Sequence, residues 1–152
     1  MKKVVLSLVA VATMFSADVF AQYEYKIVTT VESIVPGGAG RSRIIENNGD
    51  VDVEALTTER SSGKDSKQGQ VKRKDVKIDE LSETKLVNFY SMVGINFQNI
   101  ASNDAVITAK LNLLSKEGWE LAFVTSGVES DAGKDDGNGI FITRFVFRRK
   151  IQ

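Results

Sequence analysis

The chain has 152 residues, a length that favours one domain, and its hydrophobic and charged fractions, 42% and 26%, are ordinary for a globular protein. With 20 basic and 20 acidic residues the formal net charge is zero, which argues against binding of polyanions over the whole surface. The sequence contains no cysteine and no histidine. It therefore excludes disulfides, cysteine nucleophiles, Ser-His-Asp triads and zinc sites built on Cys or His.

The first 21 residues have the pattern of a secretory signal peptide. Lys2 and Lys3 give a basic start, and residues 4–15 form an apolar run. That run is shorter than the roughly 20 residues of a membrane-spanning helix. We expect cleavage between Ala21 and Gln22, and a periplasmic or secreted mature protein that forms one domain. The alternative for this segment is a buried N-terminal core helix.

Two strands joined by a turn are expected early in the mature chain. Alternating polar and apolar residues over 23–31 predict a strand. A short strand over 41–46 is followed by Asn48 and Gly49, a pair that favours a type I′ turn because both residues tolerate a positive φ. Alternation resumes over 51–58. We therefore predict a hairpin between 41–46 and 51–58.

Residues 60–77 form a basic, polar segment with no aromatic side chain. Such a composition buries too little apolar surface to offset chain entropy, so we expect a mobile surface loop, with a strand resuming near Val76 and Ile78. The basic run is a candidate for binding an anionic surface or a partner protein, and the missing aromatics argue against nucleic acid. A solvated loop without a ligand is the alternative. The candidate residues are Lys64, Lys67, Lys72, Arg73 and Lys74.

One amphipathic helix is expected in the second half of the chain. Ser102, Asn103 and Asp104 are candidates for its N-cap. Gly118 is placed to end it in a left-handed cap, with Trp119 folding back onto the last turn. The predicted apolar face contains Val106, Ile107, Lys110, Leu111, Leu113 and Leu114.

Three further segments are expected to be strands. Residues 84–93 are apolar enough to be buried, and Phe, Tyr and Val favour a strand there over a helix. Residues 119–125 and 140–149 are strands on either side of a polar loop. The order strand, hairpin insertion, helix, strand, strand predicts an α+β fold, with one antiparallel sheet covered by one main helix.

Three segments resemble a known family. They are Tyr-Glu-Tyr-Lys at 23–26, Leu-Asn-Leu-Leu-Ser-Lys-Glu-Gly-Trp-Glu-Leu at 111–121, and Phe-Val-Phe-Arg-Arg at 145–149. In this respect the chain is similar to the DUF4177-type family of small bacterial proteins of unknown function. The resemblance implies a strand-helix-strand-strand fold and no catalytic residue. The chain departs from the family pattern by an insertion of roughly fifty residues between the first strand and the helix.

No motif for catalysis or metal binding is complete. The acidic loop over 131–138 fails the calcium-binding EF-hand pattern at Gly133, Asp136 and Ile142, so a solvated loop is the better interpretation and a loose cation site the alternative. The neighbouring acids do not indicate a shared pocket. They are Asp79, Glu80 and Glu83, and further along Glu117 and Glu120. We expect no catalytic residue, metal or cofactor.

The sequence therefore favours an exported, non-catalytic interaction module or accessory subunit of the cell envelope. Its partner would be an envelope or extracellular protein, and a free sheet edge would offer a route to a homo-oligomer. The alternative is a ligand-binding domain or an enzyme that uses carboxylates or lysines. A concave pocket with convergent acids would favour that alternative.

Overall fold

A computed structural model describes residues 22–35, 41–60, 62–63, 71–129 and 139–151. The helices are α1 Val53–Leu56, α2 Arg73–Val76 and α3 Phe97–Lys116. The strands are β1 Tyr23–Ser33, β2 Arg43–Asn47, β3 Leu81–Lys85, β4 Tyr90–Ser91, β5 Gly94–Ile95, β6 Glu120–Glu129 and β7 Ile140–Lys150. Five strands form one antiparallel sheet in the order β3-β2-β1-β7-β6, and β4 pairs with β5. The expected α+β architecture is confirmed.

The sheet is organised around the central pair of β1 and β7. These strands run antiparallel over eleven residues each, from Tyr23 opposite Lys150 to Ser33 opposite Ile140. Just beyond the pair, the backbone N–H of Ile151 donates to the carbonyl of Gln22 at 2.9 Å. The strands predicted over 23–31 and 140–149 are confirmed, and each is slightly longer than expected.

The core lies between α3 and one face of the sheet. Val106, Ile107 and Leu111 of the predicted helix face pack against it, and Lys110 forms an ion pair with Glu46. Leu113 does not belong to this face, because 48% of it is exposed. The buried hydrophobic residues are Val28, Ile44, Leu86, Leu114, Trp119 and Phe147.

The predicted start of α3 is wrong. The helix begins at Phe97, and its N-cap is Asn96, whose side chain accepts a hydrogen bond from the Asn99 N–H at 3.2 Å. Asn103, expected as a cap with Ser102 or Asp104, lies in the second turn region of the helix and is buried. Its amide is used for tertiary hydrogen bonds instead of capping.

The predicted end of α3 is confirmed. Gly118 has a φ of +86°, the left-handed conformation that glycine adopts without a steric penalty. The N–H of Trp119 donates to the carbonyl of Leu114 at 3.0 Å, and that of Gly118 to Ser115 at 3.0 Å. This pair of bonds is the Schellman arrangement, which satisfies the last carbonyls of the helix and directs Trp119 toward the core.

The predicted hairpin between 41–46 and 51–58 is wrong in its second strand. Neither Asn48 nor Gly49 has a positive φ, so no type I′ turn forms. The Gly49 N–H instead donates to the side chain of Asn47 at 2.9 Å. Residues 53–56 form α1, and the outer side of β2 pairs with β3 over Leu81–Lys85.

Two other strand predictions are also corrected. No strand resumes near Val76 and Ile78, since α2 occupies 73–76 and β3 begins at Leu81. The strand expected over 84–93 is interrupted after Lys85 and returns only as the short β4. In the described residues, no helix is long and apolar enough to cross a membrane.

Candidate functional site

The face of the sheet opposite α3, here called the open face, exposes large apolar side chains. Successive residues of β1 point to opposite sides of the sheet, so Val28 enters the core while Ile27 lies on the open face. Ile27 lies opposite Val146 of β7, which lies opposite Phe123 of β6. This apolar row crosses three strands, with Ile27 50% and Phe123 62% exposed. Tyr25, on the same face of β1, is 66% exposed.

Basic side chains flank the apolar row. Arg144 and Arg148 lie on the open face of β7, on either side of Val146. Arg148 Nε donates to Glu120 Oε2 at 3.0 Å, and its guanidinium lies 5.0 Å from the centre of the Tyr23 ring. The Arg148 side chain lowers the pKa of Glu120 through this hydrogen bond and its charge, so Glu120 is a carboxylate at neutral pH.

A second cluster surrounds Trp119 at one end of the sheet. The guanidinium of Arg149 lies 4.4 Å from the centre of the indole ring, and Lys26 Nζ lies 5.4 Å from it. Arg149 Nε also donates to Glu24 Oε1 at 2.6 Å, and its Nη1 donates to the Glu117 carbonyl at 3.1 Å. Trp119 itself is only 8% exposed. The cluster therefore holds the end of α3 against β1 and β7 through cation–π contacts and hydrogen bonds.

The Trp119 cluster brings together the three segments that carry the family resemblance, residues 23–26, 111–121 and 145–149. A cleft of about 1000 Å³ opens beside it. Its lining includes Tyr23, Glu24, Glu117, Glu120, Arg148 and Arg149. Two ion pairs lie in this cleft, Arg148 with Glu120 and Arg149 with Glu24, so a ligand would have to compete with them.

A buried polar junction joins β1 to α3. Asn103 Nδ2 donates to Glu32 Oε1 and to the Val87 carbonyl, both at 2.8 Å, while Asn103 Oδ1 accepts from the Val87 N–H at 2.9 Å. Burial raises the pKa of Glu32, the hydrogen bond from Asn103 opposes this rise, and the charge of Asp104 adds to it. Sequence patterns gave no sign of this junction, because its members are far apart in the chain.

The structure describes three of the five candidate basic residues. Lys72, Arg73 and Lys74 are exposed in and next to α2, which buries no residue. Lys64, Lys67, Ala21 and the loop over 131–138 lie outside the described residues. Gln22 is exposed and immediately precedes β1.

Of the neighbouring acids in the sequence, Glu117 and Glu120 line the same cleft, which corrects the expectation that they share no pocket. Glu83 accepts two hydrogen bonds from Arg43 Nη1 at 2.9 Å, and Glu120 is paired with Arg148. Among the described residues, no group of three or more acidic side chains is placed to hold a metal ion.

The strand β6 forms one edge of the sheet. It pairs with β7 on one side, and all ten of its residues are exposed. A bulge between Leu121 and Phe123 shifts the register by one residue near its start.

No family model, curated protein or solved structure matches this chain. The resemblance to the DUF4177-type family therefore stays a prediction.

Proposed function

We propose that the protein is an exported, non-catalytic interaction module, an accessory subunit of the cell envelope that binds a partner protein through the open face. The observation that carries this proposal is the apolar row of Ile27, Val146 and Phe123. Contiguous exposed apolar patches on folded proteins mark interaction surfaces, because their hydration is unfavourable until a partner covers them. An exposed Tyr25 beside the row adds an aromatic side chain of the kind enriched at interfaces.

The charges of the open face indicate the chemistry of the partner. Arg144 and Arg148 flank the row on β7, and Lys150 lies further along the same strand and the same face. A complementary surface has an apolar centre bordered by carboxylates, since opposite charges at the rim favour encounter and orientation. The partner is therefore an envelope or extracellular protein with an acidic rim around an apolar patch.

The signal-peptide pattern supports a location in the cell envelope or outside the cell, and this can be tested separately. The basic start, the short apolar run and the residues before Gln22 match a secretory leader. Mass spectrometry of the protein recovered from the envelope or the medium is expected to find a chain that begins at Gln22. A chain that retains Met1 would contradict export.

Cross-linking of the tagged protein in its native envelope tests the interaction. Ile27→Lys places a charge in the middle of the apolar row and is expected to abolish one stoichiometric cross-linked partner. Val76→Lys is the matched control, because Val76 is also 50% exposed but lies on α2. Surface substitutions of this kind change stability by about 0.5 kcal/mol or less, so both variants should fold. Equal cross-linking by both variants would contradict the use of the open face.

Small-ligand binding in the cleft beside Trp119 is the second candidate function. It is favoured by one observation, a cleft of about 1000 Å³ that combines aromatic, basic and acidic groups. A thermal-shift screen of anionic ligands, repeated with Arg149→Ala, would test it.

A further inference from the structure

Among the described residues, nothing covers the outer edge of β6, and a bulge near its start is its one irregularity. Eight consecutive residues between Glu120 and Glu129 carry neither a charge nor a proline. Natural sheets block long edges with lysines, prolines or covering segments, because free N–H and C=O groups accept a further strand. In the described part of the chain, β6 pairs with β7 alone. Its edge therefore has the features of a docking site for an extended segment.

The position of the acids argues against a second copy of this chain as the occupant. In a fully overlapped antiparallel pair of β6 strands, Glu120 would lie opposite Glu129 of the other copy at both ends. Like charges directly opposite each other destabilise a strand pair. The bulge adds a mismatch, since Phe123 of the open face would lie opposite Ser126, which lies on the helix side.

A strand with basic ends fits the same edge. Within the sheet, Glu120 already forms such a cross-strand pair, with Arg148 of β7 directly opposite and 3.0 Å away. A partner strand with Lys or Arg near Glu120 and Glu129 would repeat this charge pairing on the outer side. Leu121, Phe123, Val124 and Val128 are each more than 40% exposed, so both faces of an added strand would find apolar neighbours.

We propose that β6 binds an extended segment of a partner protein as a sixth antiparallel strand. The segment has an uncharged centre rich in β-branched or aromatic residues and a basic residue at each end. This edge adjoins the open face, because Phe123 belongs to both, and the inference rests on the proposed function only in that the partner is a protein. Main-chain hydrogen bonds supply the affinity and the terminal charges supply the orientation.

Two synthetic peptides test the charge preference on the purified full chain by fluorescence anisotropy. Each has nine residues, the number by which β7 spans Glu120 to Glu129 across the bulge, so both end side chains lie on the same face as the two glutamates. Seven alternating threonines and valines form the centre, and the ends are lysines in one peptide and glutamates in the other. The glutamate peptide is expected to bind about fivefold or more weakly, because two exposed charge pairs turn from attractive to repulsive. Glu129→Lys should reduce the difference in affinity between the two peptides, whereas Ile27→Lys should leave that difference unchanged.

Methylation of backbone nitrogens tests strand addition itself. Alternate N–H groups of a strand point to opposite edges, so the lysine peptide is methylated on odd positions in one version and on even positions in another. One version is expected to lose binding and the other to retain it. Equal binding by both versions, equal binding of lysine and glutamate peptides, or no peptide binding would overturn the inference.

Sedimentation of the protein without peptide tests whether a second copy of this chain occupies the β6 edge. A dimer that Ser126→Lys, on the helix side of β6, converts to a monomer would show that a second copy occupies the edge, and would overturn the inference. A monomer at the same concentration agrees with it. If the peptides fail while cross-linking still depends on Ile27, this inference falls and the proposed function stands.

Discussion

Asn103 provides the sharpest test of how the fold is held together. It is 1% exposed, and its side chain makes three hydrogen bonds that bind β1 and the segment after β3 to α3. Asn103→Ala keeps a good helix former at this position but leaves the Glu32 carboxylate and both backbone groups of Val87 without their partner. A buried polar group without a partner costs about 1–3 kcal/mol.

Summed over three hydrogen bonds, the substitution is expected to lower the free energy of unfolding by about 4 kcal/mol. That is a large part of the roughly 5–15 kcal/mol by which domains of this size are stable. Urea denaturation at pH 7 measures the change. Asn112→Ala is the matched control, since Asn112 is an exposed asparagine of the same helix. A loss of less than about 1 kcal/mol at Asn103 would refute the argument.

The loss of stability caused by Asn103→Ala should depend on pH. Because the pKa of Glu32 is raised in the folded protein, the folded state holds this proton more tightly than the unfolded chain does. The contribution of Glu32 to stability is therefore fully present below its ordinary pKa of about 4.5 and is lost as the pH rises through the folded value. Without Asn103 the carboxylate loses the hydrogen bond that opposed this shift. The destabilisation by Asn103→Ala should shrink as the pH falls toward 4.5, and Glu32→Gln should weaken this dependence.

Three further outcomes follow from other contacts. Gly118→Ala should destabilise by about 1–2 kcal/mol in thermal unfolding, because alanine is strained at the left-handed φ of this position. Unchanged stability would show that the helix end can rearrange. Arg149→Ala should cost about 1–2 kcal/mol through loss of its stacking on Trp119 and its bond to Glu24, and fluorescence should report a more exposed indole. An unaltered emission spectrum would contradict the packing. Limited proteolysis should cut first within residues 61–74, and cutting elsewhere first would contradict the expected loop.

Local signals explain which elements could be predicted. The alternation over 23–31 and the Gly118–Trp119 ending each depend on neighbouring residues, and both predictions are confirmed. The hairpin prediction failed because strand pairing is not local. The second partner of β2 is β3, whose five residues are all exposed and therefore lack a hydrophobic pattern.

The candidate site was predictable only in part. The alternation over 23–31 predicts a strand, in which Tyr25 and Ile27 share one face, and the strand is confirmed. Packing decides which face of the sheet α3 covers. The alternation alone therefore does not predict that Tyr25 and Ile27 are exposed. Glu32 is a sharper case, because its burial depends on Asn103, 71 residues further along the chain. An N-cap at Asn96 and one at Asn103 look equally good locally, and the tertiary contact decides between them.

The central pairing of β1 with β7 has a consequence for how the protein folds. Every partner pair between these strands is separated by more than 100 residues in the sequence. A contact of that span closes late and slowly, because the intervening chain must lose its loop entropy first. The first strand to be synthesised must therefore wait for residues 140–150, which also supply the buried Phe147. A nascent chain that lacks its last strand has no central pair of strands, so the complete sheet forms only after residues 140–150 have been synthesised.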